Sequence, residues 1–393
     1  MGTHVKKLAV GALTLIMLFG VLTIAQAQES DGADSAPTRL GPDEGAAFAM
    51  TNRSTDNEII SYRRAANGAL TRVGSTSTRG NGIGTDLDTQ GALRLSADNR
   101  FLYAANAGSD DVTVFSVNGT QLTFLQKVYA GDEPNSLTIH GNLLYVLDGS
   151  VAGNGIRGFR RTADGTLTPL PFSFRLLSSP IAVPGQVEFS PNGRFLLVTQ
   201  KTTNVLLTPP DAIDVFRVLP GGLTLPMPQR MASNGLRPFS LAFRNDSQLF
   251  VVESFNAAPE ASAASSYRLT DNGTLEVISG SIPNQQTDTC WVVITKDGRY
   301  AFTANFGSGT ISSYRFAPNG QVVLVEGNAA FLGMDSQPVD LALSTDSRYL
   351  YLLLRGTGGV ASFRIQDDGG LTPLGVVTGG LPVADGASGL AVF

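Results

Sequence analysis

The sequence predicts an all-β fold, a seven-bladed β-propeller of four-stranded antiparallel blades closed by its own C-terminal strand. Three observations carry that prediction. The segment Ser96–Phe115, SADNRFLYAANAGSDDVTVF, recurs in close copy at Thr295–Tyr314, TKDGRYAFTANFGSGTISSY, and a repeated unit means a repeated supersecondary structure. Seven Gly-bearing turns flanked by strand-like sequence follow one another in register, from Ala66-Asn67-Gly68 to Asp367-Asp368-Gly369, as hairpin connections do. The closing residues Gly389–Phe393, GLAVF, read as a first strand with no second strand behind it, whereas the first unit starts at Ala46 directly on a second-strand pattern. Pairing the two ends removes the sheet edge that an open array would expose.

Taken in order, the chain opens with Lys6 and Lys7 ahead of an apolar run from Leu8 to Ile24 and then Ala25-Gln26-Ala27. That is the layout of a cleavable secretory signal over residues 1–27, with cleavage expected before Gln28. Retention as a membrane anchor is the alternative, because the run is nearly long enough to span a bilayer. Residues 28–45 are polar, contain Pro and Gly and lack periodicity, which reads as a flexible leader. The propeller domain is expected over 46–393.

Within it each unit offers a short first strand whose apolar residues flank one variable position: Leu93–Leu95, Leu137–Ile139, Val187–Phe189, Leu241–Phe243, Val292–Ile294 and Leu341–Leu343. A second strand with apolar residues at period two follows each, as at Leu102–Ala105 and Ala301–Ala304. The third and fourth strands bracket the Gly turn. Two separate β-sandwiches are the competing architecture for a long all-β chain, and the regular repeat argues against them.

Composition narrows the chemistry. Removing Lys6 and Lys7 takes the formal charge from −5 to −7, so the mature chain is acidic and nucleic acid is excluded as a partner. Cys290 is the single cysteine, which rules out an intrachain disulfide and makes core packing the source of stability. No cofactor and no metal are expected. Loops such as Thr85–Asp88 and Ser109–Asp111 lack the alternating carboxylates of a dedicated calcium loop. The glycines of Gly80-Asn81-Gly82-Ile83-Gly84 have no strand–loop–helix context to make a dinucleotide site.

In a propeller, the residues that close second strands and those that enter first strands meet on one face. The closing positions include Asn106, Asp148, Gln200, Glu253 and Asn305; the entering segments include Gln186, Arg237, Trp291 and Asp340. Such a ring of amides, carboxylates and one guanidinium suits a small polar ligand. The same groups could instead satisfy strand-end backbone, as Asn and Asp commonly do.

The signatures YAANAGSDDVTVF and FTANFGSGTISSY, with turns such as SPNGR at Ser190–Arg194, make the stretch from Ala46 to Phe393 resemble the seven-bladed lactonase family. That family holds propeller-type 6-phosphogluconolactonases and fungal carboxymuconate cyclases. The resemblance implies a site with histidines in an HPHQ-like segment, an Arg before the next blade's first strand, a Glu closing its second strand, and a further Arg one blade on. In this chain Val183-Pro184-Gly185-Gln186 keeps Pro and Gln and lacks both histidines. Arg237 and Glu253 match the Arg and the Glu, and Phe306 replaces the further Arg. His140 lies in the TIHGN turn, away from this mouth.

Two functions follow. The first is a secreted, periplasmic or extracellular, binding or interaction module with a degenerate active site, monomeric, whose partner is a small polar molecule or another protein. It has no membrane association once the signal is cleaved. The second is a lactone hydrolase or cycloisomerase-like enzyme acting on an unphosphorylated lactone or carboxylate. In that reading Glu253 is the base and Arg237 the electrophilic anchor, since lactone opening needs an activated water and a group that steadies the oxyanion.

Overall fold

The structure, a computed structural model, describes residues 40–150, 153–179, 181–201 and 211–393. The proposed signal, residues 1–27, and residues 28–39 of the proposed leader lie outside the described residues. The rest of that leader is held: Gly41 N–H donates to Glu44 Oε2 at 2.7 Å, Glu44 pairs with Arg63 at 2.7 Å, and a strand begins at Gly45.

Seven antiparallel sheets follow one another along the chain. Their inner strands are Leu390–Val392, Leu93–Leu95, Pro134–His140, Val183–Phe189, Pro238–Asn245, Thr289–Ile294 and Pro338–Leu343, for blades one to seven. The chain end closes the ring as expected. Ala47, Phe48 and Ala49 pair with Val392, Ala391 and Leu390, so blade one is assembled from both ends of the domain. Blade three carries a fifth short strand, Arg175–Leu176, beside its third strand.

The core lies between the blades rather than inside a single sheet. Buried Tyr, Phe, Leu and Val side chains of neighbouring blades interdigitate, and at several junctions a recurrent latch ties a hydroxyl of one blade to a turn-glycine carbonyl of the next. Tyr103 Oη donates to the Gly165 carbonyl at 2.9 Å, Tyr145 Oη to the Gly222 carbonyl at 2.7 Å, and Ser313 Oγ to the Gly369 carbonyl at 2.9 Å. The latch between blades seven and one is Tyr351 Oη on the Gly68 carbonyl, 2.9 Å. It works because Gly68 adopts φ 88° and lets the Tyr349 ring sit where a Cβ would be, 2.3 Å from that position.

Candidate functional site

The site is a mouth closed by a loop. Between the outer strand Leu70–Ser77 of blade one and the inner strand of blade two, residues 85–90 cross the channel axis. The Gln90 side-chain amide pairs with Val292 of blade six like an added strand. Its Nε2 donates to the Val292 carbonyl at 3.1 Å and its Oε1 accepts from the Val292 N–H at 2.8 Å. Gln90 N–H also donates to the Gly185 carbonyl of blade four, 3.2 Å. Trp291, almost fully buried, donates its indole N–H to the Thr89 carbonyl at 2.8 Å.

This loop delivers two carboxylates to three cations drawn from different blades. Asp88 Oδ2 lies 2.7 Å from Lys201 Nζ and 3.3 Å from Arg237 Nη2. Asp86 Oδ1 lies 2.5 Å from Arg355 Nη1 of blade seven. Lys201 is fully buried, with its ammonium 4.0 Å from the centre of the Phe239 ring, a cation–π contact that offsets part of its desolvation. The Arg355 guanidinium stands 4.5 Å from the centre of Phe306, which packs on Trp291, which packs on Phe239. The floor of the mouth is therefore aromatic and its rim is charged.

Backbone geometry aims these groups. Asp88, Arg237 and Asp288 have φ of 50°, 53° and 57°, a left-handed conformation uncommon for such residues and found where surrounding structure enforces it. Arg237 and Asp288 occupy corresponding entries to the inner strands of adjacent blades. Burial pushes the Asp288 carboxyl above its ordinary range, although the Cys290 thiol donates to it at 3.2 Å and Arg237 favours its charge. Burial, reinforced by Asp288 and Asp88, pushes the Cys290 thiol well up. That makes it a poor nucleophile, because the thiolate is the reactive form. The Arg237 Nε proton is buried and has no acceptor among the described residues.

The residues singled out from sequence divide into groups. Arg237 and Trp291 belong to this mouth. Gln186 and Asp340 line or abut the channel beneath it. Gln186 Oε1 accepts from Leu241 N–H at 2.9 Å while its Nε2 donates to Glu188 at 3.0 Å, and Asp340 Oδ2 accepts from Gly389 N–H at 2.7 Å. The remainder sit at the seams where their own blade meets the end of the one before. Asn106 bonds Asp111, Thr113, Thr78 and Asn57, and Asn305 repeats that pattern with Thr310, Ser312, Thr289 and Asn284. Asp148 accepts the N–H groups of Asp132 and Ser150, and Gln200 donates to Ser178.

The expected convergence of Glu253 and Arg237 is corrected. Pro238 and Glu253 are register partners, but the Glu253 carboxylate turns along its blade, fully buried, to accept from Gly235 N–H at 3.0 Å, Ser265 Oγ at 2.5 Å and Ser281 Oγ at 2.8 Å. Arg237 points to Asp88 instead. Three donors of blade five satisfy Glu253 where it stands, so it has no charge to offer the mouth.

Sequence reasoning missed Lys201, Arg355, Asp86 and Asp88. Lys201 and Arg355 each follow the closing position of a second strand, Gln200 and Leu354, one residue beyond the positions compared. Of the seven residues that close second strands, Leu354 alone is nonpolar, and that break in the pattern is the one sequence signal beside Arg355.

A sequence model described as lactonase, 7-bladed beta-propeller matches residues 39–183 and 236–331. A 6-phosphogluconolactonase of Yersinia enterocolitica is 24% identical over 321 residues, 70% of this chain and 93% of that protein. The crystal structure of a putative 6-phosphogluconolactonase from Bacteroides fragilis superposes with a TM-score of 0.67 at 18% identity, over 90% of this chain and 98% of that one. The periplasmic gluconolactonase PpgL of Pseudomonas aeruginosa superposes with a TM-score of 0.63 at 17% identity, over 89% and 99%. The two superpositions bear on the fold alone, and the match of the family model over well over half of the sequence places this chain in the seven-bladed β-propeller lactonase family.

Proposed function

We propose that the protein is an exported binding propeller that takes a small unphosphorylated sugar acid or lactone at the mouth, with hydrolysis given up. The observation that carries this reading is that Lys201 and Arg237 are bridged by the carboxylate of Asp88. A ligand carboxylate or ring oxygen that displaced Asp88 would find those cations, the orphaned Arg237 Nε and a Trp291–Phe306 floor already in place, the mix of apolar wall and few polar groups typical of small-molecule sites. Three cations are present, but two loop carboxylates offset them, which suits one negative charge better than a phosphate dianion.

Hydrolysis is disfavoured because no histidine stands at the mouth among the described residues and Glu253 is sequestered. The carboxyl of Asp288, raised by burial and next to Arg237, supports one alternative, slow lactone opening with Asp288 as base.

Titration calorimetry with gluconate and with 6-phosphogluconate, together with pH-stat assay of glucono-δ-lactone, tests both. Saturable gluconate binding that is weakened by Arg355→Gln, with no lactone opening above the spontaneous rate, is the expected result. Turnover that disappears in Asp288→Asn would establish the enzyme instead. Export predicts that N-terminal sequencing of the mature protein begins at Gln28.

A further inference from the structure

Beneath Gln90 the channel holds a second cavity of about 550 Å³, within the size range of small-molecule sites. It runs from Gln90 and Asp340 toward the opposite face, where His140, Ser190 and Pro191 surround it. No residue of the charged mouth cluster lines it.

Its wall is set by the variable positions of the inner strands, all of which line it except Thr138, which stands behind Glu188. In blades two to four these positions are Arg94, Thr138 and Glu188, and they are tied together. Arg94 Nη2 lies 2.5 Å from Glu188 Oε2, and Thr138 Oγ1 donates to Glu188 Oε1 at 3.0 Å. In blades five, six, seven and one they are Ala242, Val293, Ala342 and Ala391, all lining the cavity. One half of the channel is thus polar and the other half small and apolar, and the small side chains leave the space.

The charges in this space do not cancel. Arg94 faces two carboxylates, Glu188 and Asp340, and His140 is the remaining titratable lining residue. The Arg94 and Glu188 side chains keep 30% and 23% of their surface, so solvent or a ligand reaches both. Glu188 accepts from Arg94, Thr138 and Gln186, which leaves part of its capacity of about four acceptor positions open. An anion would have to displace Glu188 from Arg94 and then face Asp340. A compact cation meets neither obstacle, and an ammonium brings three donors.

We propose that this cavity is a second ligand site, selective for a primary amine carried on an apolar body. The ammonium lies against Glu188 on the polar half, and the apolar body covers Ala242, Val293, Ala342 and Ala391. The site is independent of the mouth, so it stands or falls without the sugar-acid reading.

The test is calorimetric titration of the mature protein with three probes of matched shape: 2-phenylethylamine, 2-phenylethanol and 3-phenylpropionate. The amine is expected to bind at least about tenfold more tightly than the alcohol, the margin of one charge-assisted hydrogen bond, and the carboxylate more weakly than either. Glu188→Gln should remove that margin, and Ala342→Leu, which fills the apolar half, should abolish binding of all three. Saturating gluconate should leave the amine titration unchanged. Amine binding no tighter than the alcohol's, or unaltered in Glu188→Gln and Ala342→Leu with folding intact by circular dichroism, overturns the proposal; so does the absence of amine binding.

Discussion

Asp88 and Lys201 form an ion pair of 2.7 Å between the loop that crosses the channel and the second strand of blade four, and the lysine end of it is fully buried. The loop is thereby bolted to blade four by its own carboxylate. A buried ammonium is tolerated only with a partner, so the loop's position and the lysine's charge depend on each other.

Replacing Asp88 by Asn should therefore cost about 2–3 kcal/mol, below the roughly 3–5 kcal/mol of a fully orphaned buried charge, because Lys201 Nζ also donates to the backbone carbonyl of residue 88. The informative measurement is the rescue. Acetate or gluconate added to Asp88→Asn should raise its melting temperature more than that of the wild type, since a free carboxylate can enter where Asp88 was. Equal shifts in the two proteins would mean that Lys201 and Arg237 do not form an anion-accepting pair.

Glu253 tests the site from the other side. Burial raises its carboxyl against the opposing hydrogen bonds from Ser265, Ser281 and Gly235. A carboxyl raised in the folded state binds more protons there than in the unfolded chain, so its contribution is complete below the unfolded value and declines as pH rises through the folded one. Glu253→Gln, which keeps an acceptor for Gly235 and a donor for Ser281, should remove that decline and leave gluconate binding unchanged. The pH dependence of the urea midpoint reads the first effect and calorimetry the second. A loss of ligand binding would return Glu253 to the mouth.

These two carboxylates also show what was legible in the sequence. Blade number, strand identity and ring closure follow from repetition, because period-two apolar patterning and hairpin chemistry are local properties and Gly389–Phe393 lacked a partner of its own. The site is not local. Glu253 and Arg237 occupy the family's positions, yet which way each turns depends on Ser265, Ser281 and Asp88, which come from other strands and another blade. The crossing loop carries no periodicity at all, and Asp88 becomes informative only once folding sets it between Lys201 and Arg237.

Gly68 is where the ring closes on itself, and two glycines separate the causes of its requirement. Gly68 combines φ 88° with the Tyr349 ring in the place of a Cβ, whereas Gly141 combines φ 57° with open space around that place. Gly141→Ala should then cost only the left-handed backbone, about 1 kcal/mol. Gly68→Ala should add overpacking and the displaced Tyr351 bond, about 3 kcal/mol or more in total. Thermal melts of the two variants decide it: near-equal losses would show that the latch between blades seven and one contributes nothing to closure.

Asp340 joins the same closure to pH. It sits on the inner strand of blade seven, accepts from Gly389 N–H and, at 3.3 Å, from Ser388 Oγ, and so clasps the start of the C-terminal strand. Burial is the foremost influence on its carboxyl, which is pushed up to about 6 although Gly389, Gly91 and Ser388 donate to it. Because the folded value lies above the unfolded one of about 3.9, stability associated with Asp340 is complete below pH 4 and is lost progressively as pH rises to 6, by about 3 kcal/mol at most. Surface carboxyls such as Asp346, lowered to about 2 by Ser344 and Arg348 despite some burial, act in the opposite sense and lose their contribution as pH falls. The measurement must therefore be a difference. Asp340→Asn keeps an acceptor for Gly389 but cannot titrate, so the gap in unfolding free energy between it and the wild type should shift in favour of the variant between pH 4 and pH 6 and stay constant above pH 7. A gap that does not change across that window would mean that the clasp at Gly389 holds the Asp340 charge as well as water does.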